Sequence, residues 1–138
     1  MQAKTTNSES IEQSTLFRWA TLMETRFPEL NLMFHIPNGG KRDRIIAAKL
    51  KEEGVKSGVP DIELPVGREG YLGLFIEMKV GKNKTTDNQE QWLKKLSEQG
   101  YKTAVCYGWE EASKLIENYM KQIRTIDIIN EWRKANET

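Results

Sequence analysis

A mixed α/β domain, with a central four-stranded mixed sheet flanked by helices, is what this sequence predicts. Three observations predict it. The runs DIELPV at 61–66 and YLGLFIEMKV at 71–80 are separated by GREG, a turn, and read as a hairpin. Two more short apolar runs, NLMFHI at 31–36 and YKTAVCY at 101–107, read as strands. Stretches with apolar residues at helical spacing lie around them, so the order is helix, strand, helix, hairpin, helix, strand, helix.

Each element has its own signal. Leu16, Trp19, Ala20, Met23 and Phe27 recur at helical spacing from Ser10 onward, and Ser10 with Gln13 has the form of a capping box. Pro28 stops that helix. In the strand at 31–36, Leu32, Phe34 and Ile36 share one face and His35 the other. The PNGG that follows is a strong turn signal. Residues 41–53 form a short basic helix ended by Gly54, and KSGVPD is the loop into the hairpin. A helix spans 86–99 and ends at Gly100; another runs from 109 to about 122. Beyond it Ile123, Ile126, Ile129 and Trp132 keep helical spacing, so the tail either extends that helix or docks elsewhere. The expected division is a flexible leader at 1–9, a domain at 10–122, and a helical tail at 123–138 that packs on the domain or forms a dimer interface.

Composition bounds the function. The 138 residues suit one domain, and 38% apolar with four Trp, four Tyr and four Phe exceed what a disordered chain carries. No apolar run approaches the roughly 20 residues that span a bilayer, and MQAKTTNSES lacks the apolar stretch of a signal peptide. A cytoplasmic protein with no membrane partner is expected. One Cys and one His exclude a disulfide framework and a Cys- or His-based zinc cluster. There is no P-loop, GxGxxG or GxSxG motif. Net charge is +1, so any polyanion contact must be local. Lys41, Arg42, Arg44, Lys49, Lys51 and Lys56 make one basic group, and Lys79, Lys82 and Lys84 another. Both are also compatible with ordinary solvated surface.

The chemistry centres on the hairpin. On the second run Leu74, Ile76 and Met78 share one face, and Phe75, Glu77 and Lys79 the other. A turn near 67–70 sets Asp61 opposite the region of Glu77. Two carboxylates converging beside a lysine suit Mg²⁺ or Mn²⁺, which take one or two protein carboxylates and complete their shell with water and phosphate. The ion would polarise a phosphoryl oxygen, and the lysine would hold water or stabilise transition-state charge. A rim salt bridge between Glu77 and Lys79 is the plainer alternative. Gln89 lies on the inward stripe of its helix with Trp92 and Leu96, yet could equally complete a capping box with Thr86. Glu12 heads the apolar face of the first helix, as an outer ligand or as a carboxylate complementing the helix dipole. His35 and Asn38 are candidate cleft residues, with structural roles as the alternative. Cys106 reads as core.

Together these residues resemble the PD-(D/E)XK nuclease superfamily. Pro60-Asp61 matches the PD element, and Glu77-Met78-Lys79 follows after 15 residues as (D/E)XK. HIPNGG at 35–40, GVPD at 58–61, FIEMKV, Gln89-x-x-Trp92 and the leading Glu12 bring the likeness closer to the virus-type replication-repair nuclease (VRR-NUC) domain, in family order over about residues 10 to 120. The resemblance implies a restriction-endonuclease-like fold and a Mg²⁺- or Mn²⁺-dependent endodeoxyribonuclease acting on branched DNA. Asp61, Glu77 and the Met78 carbonyl would hold the metal, Lys79 would position water, and Gln89 and Glu12 would tune the cleft. Small stand-alone members look like phage or bacterial proteins, some of them homodimers cutting four-way (Holliday) junctions; the expected place is the cytoplasm, that of the bacterial host cell if the chain is phage-encoded. Lys41, Arg42, Arg44, Lys82 and Lys84 are the expected DNA contacts, to phosphates and not bases. A flap- or nick-processing repair nuclease and a catalytically silent nucleic-acid-binding module stay open beside this reading.

Overall fold

The computed structural model describes residues 2–37 and 43–137, so Asn38, Lys41 and Arg42 lie outside the described residues. Its sheet is laid down by the hairpin. Strand β2 (Ile62–Leu64) pairs antiparallel with β3 (Leu74–Lys79), with Ile62 facing Ile76 and Leu64 facing Leu74. Strand β1 (Phe34–His35) adds to β2 antiparallel, and β4 (Lys102–Tyr107) adds to β3 in parallel. The order β1-β2-β3-β4 puts β3 between two neighbours, and all six of its residues are buried. A parallel β4 requires a crossover, and helix α3 (Asp87–Glu98) supplies it.

The core lies on one face of the sheet. Leu16 and Ala20 of helix α1 (Gln2–Met23) meet Ile62, Leu64, Leu74, Ile76 and Met78, with Ala112, Ile116 and Tyr119 of helix α4 (Trp109–Met120) closing the layer. Cys106 is in this core, and burial pushes its thiol up to about 12. Helix α2 (Arg44–Glu52), capped by the Asp43 carboxylate on the Ile45 N–H, buries none of its residues. The tail is a separate helix, α5 (Thr125–Ala135), turned back on the β2–β3 connection. There Thr125 donates to the Tyr71 carbonyl and accepts from the Gly70 N–H.

Three expectations are corrected. Helix α1 begins at Gln2, so Ser10 is inside it and no capping box forms there. Gln2, Ala3, Lys4 and Glu9 favour helix, and α1 continues into a well-packed segment. The strand at 31–36 shrinks to Phe34–His35, because Pro28 opens a 3₁₀ turn over Pro28–Leu32. Pro fits the first position of a helical turn. The face Leu32, Phe34, Ile36 is then not the core face: Met33 turns inward while Leu32 and Phe34 are about half exposed.

Candidate active site

The hairpin register carries the site. Ile62 pairs with Ile76, so antiparallel continuation brings Asp61 beside Glu77 at the open end of β2. Asp61 is held from two sides. Its Oδ2 accepts the Met78 N–H at 2.8 Å. Its carbonyl accepts the Ile36 N–H at 2.7 Å and lies 2.8 Å from His35 Nδ1, which donates to it. His35 thus lies at the site's edge, on the backbone of Asp61.

Glu77 projects from the fully buried β3 and is 2% exposed; Lys79, two residues on and on the same face, is 8% exposed. Their charged atoms are 3.9 Å apart, Lys79 Nζ to Glu77 Oε2. This is a buried pair and not a rim salt bridge. Glu77 Oε2 also accepts from Gln89 Nε2 at 3.3 Å, whereas its Oε1 is buried with no partner among the described residues. Burial pushes the Glu77 carboxyl up to about 9; the charge and contact of Asp61 add to this, Lys79 opposes it, and Glu9 adds a smaller push. A charged carboxylate out of water beside another carboxylate needs a cation or a proton.

Gln89 does both things its sequence allows. Its side-chain oxygen accepts the Thr86 N–H at 2.9 Å while its own N–H donates to Thr86 Oγ1 at 3.1 Å, completing the capping box of α3. Its amide nitrogen remains for Glu77. Glu12 lies on the rim: its carboxylate accepts the Trp109 N–H at the start of α4, beside Gly108 (φ +91°), whose own N–H donates to the Lys79 carbonyl. Glu9, three residues earlier on α1, adds the smallest of the pushes on Glu77. Sequence reading missed it. Its signal is the i, i+3 spacing to Glu12, which puts both on one helical face.

The loop before Asp61 is fastened to α3. Asn88 Nδ2 donates to the Ser57 carbonyl at 3.0 Å and Oγ at 3.1 Å, and Trp92 Nε1 donates to the same carbonyl at 3.1 Å. Gly58 follows at φ +86°, and a Cβ there would come within 2.5 Å of Asn88 Nδ2. Arg44, Lys82 and Lys84 are exposed, at the start of α2 and in the connection after β3.

The donor set fits a hard divalent cation. Among the described residues no three of His, Cys, Asp and Glu are grouped to hold an ion. Two facing carboxylates, one with a buried, unpartnered oxygen, are the share that Mg²⁺ or Mn²⁺ asks of a protein, water and phosphate supplying the rest. A soft or tetrahedral ion would ask for more.

A mixed sheet with helices on its faces, with acid, acid and lysine at the open end of its central hairpin, defines a nuclease-type domain of the restriction-endonuclease-like class. The chain belongs to the VRR-NUC domain family, whose model matches residues 6–110. A solved structure named VRR_NUC domain protein is similar to it at 29% identity and a TM-score of 0.72, over 85% of this chain and 91% of that one. Among curated proteins no match is found. No helix among the described residues is long and apolar enough to cross a membrane.

Proposed function

We propose that this chain is a Mg²⁺- or Mn²⁺-dependent endonuclease that cuts branched DNA, foremost four-way junctions, as a homodimer. The observation that carries the reading is the buried, unpartnered Glu77 Oε1 facing Asp61 beside Lys79. Asp61, Glu77 and the Met78 carbonyl would hold the ion, which would supply Lewis-acid polarisation of the scissile phosphate and a more acidic water. Lys79 holds the attacking water and meets the negative charge that develops on the phosphoryl oxygens. Its Nζ lies 3.9 Å from Glu77 Oε2, which holds the side chain at the site. Gln89 fixes the Glu77 carboxylate through Oε2, which leaves Oε1 as the oxygen that would meet an ion. Glu9 and Glu12, on one face of α1, supply acceptors at the rim for water. Arg44, Lys82 and Lys84, with Lys41 and Arg42, hold the phosphates of the DNA arms, which selects shape and not sequence.

A dimer gives two equivalent sites for the two equivalent strands of a junction. The surface that supports one is α5: Ile126 is 50% and Trp132 66% exposed, with Ile129 between them on the same face. A groove of about 360 Å³ beside them is lined by Leu32, Leu72 and Ile129 among others. Cleavage of end-labelled duplex, flap, splayed-arm and four-way DNA with Mg²⁺, Mn²⁺ or EDTA tests the reading, with Glu77→Ala as control. Symmetric cuts in the four-way substrate, lost in EDTA and in the variant, are expected. Cuts confined to flaps move the role to repair intermediates; no metal-dependent product on any substrate refutes the nuclease.

A further inference from the structure

Two cavities meet at one side chain near the site. The larger, about 570 Å³, lies between α2 and α3 and has Lys51, Lys56 and Ser57 in its wall. The smaller, about 340 Å³, runs along α3 past Lys95 and Leu96. Trp92 is common to both. We propose that Trp92 and these lysines form a binding site for an unpaired nucleotide of the strand being cut, an inference that rests on the nuclease reading above.

Four features support it. First, the indole is held: its Nε1–H is committed to the Ser57 carbonyl, which Asn88 also holds, and Gly58 abuts its edge. A ring fixed by its edge is a preorganised stacking surface, and stacking on an aromatic ring suits any base. Second, among the described residues the walls of the two cavities contain three lysines and no carboxylate, which favours a polyanion. Third, Trp92 is three residues beyond Gln89 on α3, a rise of about 5 Å, and Gln89 is bonded to Glu77. A strand whose phosphate sits at Glu77 passes Trp92 within a nucleotide or two. Fourth, a paired and stacked base has no free face for an indole, so the site selects DNA that is open at a branch point. Selection would then come from a base out of its stack as well as from phosphate geometry.

The test uses the whole chain and four-way junctions carrying 2-aminopurine at successive positions next to the branch, with Ca²⁺ in place of Mg²⁺ for binding. The fluorescence at one position should be quenched on binding. Trp92→Leu should remove that quench and weaken binding about tenfold; Trp92→Phe, which keeps a ring and loses the Ser57 bond, should retain most of both. Lys51→Ala with Lys56→Ala, both on exposed side chains, should lower affinity a few-fold and flatten its salt dependence. A Trp92→Phe variant as impaired as Trp92→Leu would mean that Trp92 only fastens the loop, and the proposal fails. It fails equally if no position is quenched, or if the lysine pair binds like wild type. Cleavage in Mg²⁺ is run on the same junctions. Cutting without a quench overturns this site alone; a quench without cutting overturns the nuclease reading, and with it the claim that the bound strand is the one cut.

Discussion

Replacing Glu77 with Gln should make the metal-free protein more stable, increasingly so as the pH rises. The Glu77 carboxyl titrates at about 9 in the fold, against 4.5 in the absence of its neighbours. Between those values the unfolded chain has lost the proton that the folded chain keeps, so folding takes one up. Stability from this group is fully present below pH 4.5 and is lost as the pH climbs toward 9. At pH 7, two and a half units above 4.5 at about 1.4 kcal/mol each come to about 3–4 kcal/mol. That is an upper bound, since any water admitted to Oε1 relieves the burial. For 138 residues, 1 kcal/mol moves the Tm by about 3 °C. Gln cannot ionise, still accepts from Gln89, and can donate to Asp61. Thermal melts in EDTA from pH 5 to 8.5 should therefore show the variant and wild type close together at pH 5 and the variant up to about 10 °C ahead by neutral pH. Saturating Mg²⁺ should close the gap by stabilising wild type alone, since the ion takes the place of the proton. Melting curves that stay parallel across the range would refute the account of Glu77 as a buried carboxyl waiting for a cation.

Other outcomes follow from the same geometry. Lys79→Ala should abolish cleavage yet leave Mn²⁺ binding, read by calorimetry, largely intact; undiminished cutting would remove the lysine from the mechanism. Gly58→Ala strains a φ of +86° and drives a Cβ into Asn88, so it should cost about 1–3 kcal/mol and raise the Mg²⁺ needed for half-maximal cleavage. Asn88→Ala loses the bonds to Ser57 and should shift the Mg²⁺ requirement the same way with a smaller loss of Tm. Arg68 is buried, pairs with Glu29 at 3.1 Å and donates to the Met120 and Gly67 carbonyls. Arg68→Ala should thus cost about 2 kcal/mol or more in chemical unfolding and loosen α5. Trp132→Asp should shift the mass seen in light scattering from dimer to monomer, and an unchanged mass would take α5 out of the interface.

The hairpin was legible because period-two alternation in both runs leaves one register open to it, although the connection over 65–73 is longer than the GREG turn the sequence suggests. Slipping by one residue would bury Glu63 in place of Ile62 and Leu64. The same register sets Asp61 beside Glu77, so the heart of the site could be read from the chain. The α1 contribution could not. Glu9 and Glu12 share a helical face, and which of them reaches Glu77 depends on where α1 crosses the sheet, a tertiary fact with no local signature. The strand at 31–36 misled for a different reason. A run of apolar residues after a proline suits a 3₁₀ turn as well as a strand, and only packing decided that Met33, and not Phe34, would be covered. The clamp on Ser57 was hidden because its partners come from α3, thirty-odd residues away.

Gln89 shows how one primary amide can restrict a position more tightly than either of its duties would alone. Closing the first turn of α3 asks only for an acceptor, and glutamate serves that purpose as well as glutamine. Steadying Glu77 asks only for a donor. A side chain that must present both ends at once, uncharged, to groups on opposite sides has few substitutes among the twenty amino acids. Glutamate would keep the helix start and place another anion against Glu77; lysine would satisfy the anion and leave the turn unclosed. The ending of a loop and the tuning of a reaction centre thus become a single constraint, and a drift in one cannot be tolerated without disturbing the other.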